Sequence, residues 1–131
     1  HAGMKLFVSD FLKLYRKYRS LWEFDNSYEG FRWINADDTE KSLYSFIRTN
    51  STGKDNLVFV VNFTPMKRDD YRVGVPQAGK YTLLMNSDET KYGGTGVEIP
   101  ANMKAEAKPW DGMDYSVGFP LPPFGAVVLK Y

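Results

Sequence analysis

Leu57-Val58-Phe59-Val60-Val61-Asn62-Phe63 is almost continuously apolar. A run this short and this hydrophobic suits a central strand buried on both faces. Pro65 ends it, because proline has no N–H to give to a β-ladder. The polar residues 50–56 before it include Gly53 and read as a hairpin connection.

Outward from this strand the apolar pattern has period two. Upstream, Phe31–Asn35 and Leu43–Thr49 are candidate strands divided by the turn formers Ala36-Asp37-Asp38. Downstream, Tyr71, Val73 and Val75 alternate with Arg72 and Gly74, and Tyr81, Leu83 and Met85 share a face. Residues 97–108 suit weak edge strands. Tyr115, Val117, Phe119 and Leu121 alternate again, and Gly125–Tyr131 is the last strand. Turns fall at Pro76–Gly79, at Asn86–Gly96 and at Pro120, Pro122 and Pro123. About seven or eight short strands at this spacing predict an all-β, antiparallel Greek-key sandwich.

One helix precedes the strands. In residues 4–19, MKLFVSDFLKLYRKYR, the side chains of Leu6, Phe7, Phe11, Leu14, Tyr15 and Tyr18 recur at spacings of three and four. Val8 and Leu12 widen the stripe beyond what one face of a small domain needs, so a second partner surface is expected. No Ser, Thr, Asp or Asn precedes the helix as an N-cap. A boundary drawn through a longer chain is expected there. The close fit of the last strand to residue 131 suggests a natural C-terminus. Trp22 to Gly30, with Asn26 and Ser27, is a connection, and Trp22 is placed to seat the helix.

Composition excludes several functions. The 131 residues fit one domain, and 43% hydrophobic content can build a core. A net charge of +1 with scattered Lys and Arg gives no nucleic-acid surface. Arg16, Lys17 and Arg19 gather at the helix end, where cations meet the helix dipole favourably. There is no cysteine, and the single histidine is His1. Cys-based zinc sites, thiolate nucleophiles and Ser-His-Asp triads are thereby set aside, and no catalytic residue, metal or cofactor is assigned. No run approaches the ~20 apolar residues of a membrane span, and the first residues lack the charged-then-apolar order of a signal peptide. A cytoplasmic setting without a membrane partner is expected.

The carboxylate pairs Asp37-Asp38, Asp69-Asp70 and Asp88-Glu89 are each expected in a turn. Neighbouring strand residues point to opposite faces, so none reads as a glycosidase pair. Asn86-Ser87-Asp88 lacks the spacing of a calcium loop. Tyr92-Gly93-Gly94-Thr95-Gly96 lacks phosphate-loop spacing and reads as a tight, mobile loop. The triplets Asn50-Ser51-Thr52 and Asn62-Phe63-Thr64 match the glycosylation acceptor by chance. Aromatics make up 16% of the chain. Trp33 is expected in the core. Trp110, between Pro109 and Asp111-Gly112, sits at a turn, where either packing or stacking on a glucose ring is open to it. Tyr92 is a second loop aromatic of this kind.

Read in order, a series of segments is specific. Phe31-Arg32-Trp33-Ile34-Asn35-Ala36-Asp37-Asp38 and Ser45-Phe46-Ile47-Arg48 come first. Val61-Asn62-Phe63-Thr64-Pro65 and Tyr71-Arg72-Val73-Gly74-Val75-Pro76 follow. Then come Asn86-Ser87-Asp88, Tyr92-Gly93-Gly94-Thr95-Gly96 and Leu121-Pro122-Pro123. The series, which spans nearly the whole chain, resembles the C-terminal domain of bacterial 1,4-α-glucan (glycogen) branching enzymes of the α-amylase superfamily.

The resemblance implies that residues 1–20 are the last helix of an upstream (β/α)8 barrel and 21–131 a C-terminal β-sandwich. Phe7, Phe11, Leu14, Tyr15, Tyr18 and Trp22 would then face the barrel. Such enzymes cleave an α-1,4-glucan and rejoin it through an α-1,6 bond, with an Asp nucleophile and a Glu acid/base on the barrel. Those motifs are absent here, so the implied role is non-catalytic: support of the barrel, with α-glucan held at Trp110 and Tyr92. In isolation the helix would self-associate or re-dock. The alternatives are a stand-alone starch- or glycogen-binding module and a purely structural immunoglobulin-like sandwich.

Overall fold

A computed structural model describes residues 2–24, 29–35 and 42–131. His1, the Asn26-Ser27 turn and the Ala36-Asp37-Asp38 turn lie outside the described residues.

The helix α1 spans Ala2–Lys17, followed by a 3-10 turn at Arg19–Leu21. The strands are β1 (Phe31–Asn35), β2 (Leu43–Arg48), β3 (Leu57–Asn62), β4 (Arg68–Val75), β5 (Lys80–Asn86), β6 (Asn102–Lys104), β7 (Tyr115–Leu121) and β8 (Gly125–Lys130). They form two antiparallel sheets. The larger has the order β1-β2-β3-β8-β5-β6, and the smaller pairs β4 with β7. The chain crosses between sheets after β3, β4, β6 and β7, so β8 returns to lie between β3 and β5.

The apolar run at 57–63 decides the layering. Val58 and Val60 point into the core between the sheets, with Ile47, Val73, Val117 and Leu129. Leu57 and Phe59 point the other way, into a second cluster with Tyr18, Leu21, Met85 and Val128. Phe7, Phe11, Leu14 and Tyr15 of α1 pack on that second cluster. The molecule is thus helix, six-stranded sheet and two-stranded sheet in succession. A strand covered on both faces has no solvent side and so no alternation. Each Val or Leu buried this way is worth about 1.5–3 kcal/mol relative to an exposed one.

The polar members of the motifs hold strand ends. Asn62 is buried; its amide donates to the carbonyls of Met66 and Pro122, and its oxygen accepts from Thr64 N–H and Oγ1. The segment after β3 is thereby tied to the proline turn before β8. Asn50 likewise donates to Ser20 Oγ and the Lys54 carbonyl. Both Asn triplets are therefore structural devices.

Two expectations change. Trp33 is 51% exposed rather than in the core. Ile34 takes the inward position, and period two sends Trp33 outward, where its ring meets Phe31 and Phe46 edge-on. Asp69 and Asp70 lie within β4 rather than in a turn, because β4 begins at Arg68 and an irregularity in its pairing with β7 spans Arg68 to Tyr71. The break in the ladder accommodates two consecutive exposed carboxylates.

Candidate functional site

The segments that carry the resemblance build two sites: a seat for α1 and a cleft beside Trp110.

The seat is made by residues 86–97. Asn86 Oδ1 accepts from Asp88 N–H, and its amide donates to the Val97 carbonyl. Asp88 is 6% exposed and accepts from Thr95 N–H at 3.0 Å, Thr95 Oγ1 at 2.6 Å and Val97 N–H at 2.9 Å. Burial alone would raise its pKa. The donors from Thr95, Val97 and Gly96 outweigh that and hold the carboxyl below its usual range. The loop expected to be mobile is thus folded around one buried carboxylate.

This loop offers Tyr92 to the helix. The Tyr92 hydroxyl donates to Asp10 Oδ2 at 2.6 Å, and its ring meets Phe7 edge-on at 5.3 Å. Burial, then the bond to Asp10, pushes the Tyr92 pKa up to about 12. The Lys91 ammonium lies 4.0 Å from Asp10 and 3.1 Å from Glu89. Glu89 raises the Lys91 pKa above its ordinary value. Gly3 completes the contact, since a Cβ there would come within 2.5 Å of the Tyr92 carbonyl. Tyr92 therefore holds the helix through both its hydroxyl and its ring.

The helix stripe divides in two. Phe7, Phe11, Leu14, Tyr15 and Tyr18, the side chains matched to a barrel face in the sequence, lie against the domain's own sheet, and Tyr18 is 5% exposed. Trp22 is exposed, with the Arg19 guanidinium 5.5 Å from its ring centre. Met4, Leu6, Val8 and Leu12 face outward. Beside Met4 runs an apolar groove in two parts that share Val61 and Phe63. One part reaches Met4 and Phe124, the other Trp33 and Tyr44.

The cleft, of about 970 Å³, lies between the start of β4 and residues 109–114. Trp110 and Met113 exchange backbone hydrogen bonds of 2.8 and 2.9 Å around Asp111 and Gly112, both at positive φ (52° and 76°). This is the two-residue type I′ turn that Asp-Gly favours. The Asp111 carboxylate pins it, accepting from Gly74 N–H at 2.9 Å and the Asn35 amide at 3.1 Å. Gly74 has no Cβ to obstruct this, and one would come 2.2 Å from the Trp110 carbonyl oxygen. Trp110, 43% exposed, is thus carried on a fixed turn with Lys108 Nζ 5.7 Å from its ring centre. Tyr71, Asp70 and Asp114 complete the wall. Arg72 is held by Ser116 Oγ at 2.8 Å and Glu106 at 3.0 Å, and Asp69 by Lys67 at 3.1 Å.

The structure therefore separates the two aromatics that the sequence groups together. Sequence reasoning missed Asp10, Tyr71, Asp70 and Asp114. Asp10 left one signal, as the only acidic residue of α1. Among the described residues no cluster of three or more His, Asp or Glu is placed to hold a metal, and no helix is long and apolar enough to cross a membrane.

Comparison with known proteins fits this arrangement. The family model for the α-amylase C-terminal all-beta domain matches residues 33–131. The chain is 50% identical over 131 residues to the 1,4-alpha-glucan branching enzyme GlgB of Butyrivibrio fibrisolvens, covering 100% of this chain and 20% of that protein. It is 40% identical to the same-named enzyme of Aquifex aeolicus, covering 100% of this chain and 21% of the enzyme. For that of Francisella philomiragia the identity is 39%, over 99% of this chain and 20% of the relative. The chain spans about a fifth of the length of these relatives. With two antiparallel sheets and a family match over most of its length, this chain belongs to the α-amylase C-terminal all-beta domain family.

Proposed function

We propose that this chain is the non-catalytic β-domain of a 1,4-α-glucan branching enzyme and that it supports the catalytic barrel of the same polypeptide. The observation that carries this is the uncovered apolar surface. Met4 on α1 lines a groove where Phe63 is 63% and Phe124 70% exposed, and Leu6, Val8 and Leu12 of the same helix are exposed as well. A patch of this kind marks an interface. The likeness over a fifth of each branching enzyme supports the remaining polypeptide as the partner. In this reading α1 is the last helix of its barrel. The barrel would then meet the outward side of α1 and the groove, while Phe7, Phe11, Leu14 and Tyr15 join α1 to the sandwich. Cleavage of α-1,4 bonds and formation of α-1,6 branches belong to the barrel. A stand-alone starch-binding module is less well supported, because it leaves this surface bare.

Branching of amylose tests the reading. The expected result is that the 131-residue chain forms no α-1,6 branches. The full-length polypeptide is expected to form them, and to lose activity or heat resistance when Leu12→Glu and Phe63→Glu are combined. Those changes leave the unfolding midpoint of the chain alone within a few degrees. Branching by the chain alone, or an undisturbed full-length double variant, would overturn the proposal.

A further inference from the structure

The helix α1 is fastened at two places, and differently at each. Its regular turns stop at Lys17, Tyr18 is extended (φ −103°, ψ 112°), and the 3-10 turn Arg19–Leu21 follows. This turn is built into the sandwich. Tyr18, Ser20 and Leu21 are buried. Ser20 Oγ donates to the Asp55 carbonyl at 2.9 Å and accepts from the Asn50 amide at 2.7 Å. The Arg48 guanidinium donates to the Ser20 and Leu21 carbonyls at 3.3 and 3.2 Å. Tyr18 is thus an extended joint between a regular helix and a turn that cannot move without breaking these bonds.

The helix itself contains no fully buried residue. Phe7, Phe11, Leu14 and Tyr15 reach the sheet, and Asp10 supplies the second fastening, with the Tyr92 hydroxyl at 2.6 Å and the Lys91 ammonium at 4.0 Å. Near its N-terminal end the packing is open: a cavity of about 370 Å³ lies between Met4 and Phe7 on one side and Val61, Phe124 and Ala126 on the other. The loop that receives Asp10 is folded by its own bonds. Asn86 binds Asp88 and Val97, Asp88 binds Thr95 and Val97, and the Gly94 and Gly96 N–H groups donate to the Glu89 and Asp88 carbonyls. None of these involves α1, so Tyr92 stays presented when the helix leaves.

We propose that α1 is a hinged strap that pivots at Tyr18 and is closed by a latch between Asp10 and Tyr92. Opening uncovers part of the second apolar cluster but breaks no bond of the 3-10 turn or of the loop, so the helix is released as one unit. In the branching-enzyme reading α1 is also the barrel's last helix, and the strap makes the barrel's seat on the sandwich adjustable. That consequence rests on the proposed support role; the strap rests on this chain alone.

Native-state hydrogen exchange of the 131-residue chain, read amide by amide, tests it. A 16-residue helix released into water is only marginally stable, so its amides exchange when the strap opens. The α1 amides are expected to exchange as one group, roughly tenfold or more faster than those of β3 and β8. The Thr95 and Val97 amides stay with the slow group. Tyr92→Phe speeds the α1 group about tenfold, the factor for a lost bond to a carboxylate. Asp10→Ala does the same, although alanine favours a helix more than aspartate does, so a change in helix propensity would act in the opposite direction. Lys13→Ala, at an exposed position of α1, leaves the group unchanged. Exchange of α1 together with β3 and β8, or of Thr95 and Val97 together with α1, would overturn the strap. An α1 group indifferent to both Tyr92→Phe and Asp10→Ala would overturn the latch. None of these outcomes involves the barrel or amylose, so the strap and the support role fail separately.

Discussion

The hydroxyl of Tyr92 donates a 2.6 Å hydrogen bond to Asp10 Oδ2, joining α1 to a loop 82 residues away. Tyr92→Phe removes the bond and keeps the ring against Phe7. A loss of about 1–2 kcal/mol is expected for a hydrogen bond to a carboxylate. Urea unfolding of the two proteins measures it, and α1 amides should lose exchange protection first.

Alkaline titration gives a second expectation. Burial raises Tyr81 above the ordinary tyrosine range, and Tyr92 and Tyr131 to about 12. The unfolded chain loses these protons near pH 10, before the folded chain does. Their contribution to stability is therefore complete below about pH 10 and is lost as pH rises toward 12. Ultraviolet titration should show Tyr81, Tyr92 and Tyr131 ionising late, with the fall in stability beginning before they do.

Asp88 acts in the opposite direction of pH. Its folded pKa is lowered, so its contribution is present above the ordinary aspartate value and fades as pH falls through the folded one. Asp88→Asn presents an amide where N–H groups of Thr95 and Val97 point. A cost of about 2 kcal/mol at neutral pH is expected, with a flatter acid limb. Denaturant midpoints at pH 7 and about pH 3 compare the two proteins.

Gly74→Ala should cost about 1–3 kcal/mol, because the new methyl meets the Trp110 backbone carbonyl rather than a yielding side chain. The turn must then move away from β4, and the Asp111 bond to Gly74 N–H lengthens. Thermal unfolding of the two proteins measures the loss. Unchanged stability would mean that the turn shifts freely.

The uncovered apolar surface predicts self-association of the chain in isolation. Sedimentation over a range of concentrations should show reversible dimers or larger species. Phe124→Ser and Leu12→Lys, both at exposed positions, should shift the balance to monomer without lowering the unfolding midpoint. A wild-type chain monomeric at high concentration would contradict this.

Strand positions were legible in the sequence because each depends on local pattern and punctuation. Phe31–Asn35 and Tyr115–Leu121 match the expected bounds, and proline marks the end of β3. The double-sided burial of β3 was legible too, since unbroken apolar residues leave no face for solvent. What covers its second face was not. A helical stripe records that a partner is needed but not where the partner sits, and α1 divides its apolar residues between its own sheet and the outside. Likewise Tyr92 and Trp110 are both loop aromatics in sequence. Only tertiary contacts make one a fastening for α1, through Asp10 and Phe7, and the other a ring held at the edge of a cleft by Gly74 and Asp111. Local periodicity fixes which residues are buried along a strand. Contacts between residues 37 to 82 positions apart fix where each loop aromatic is held.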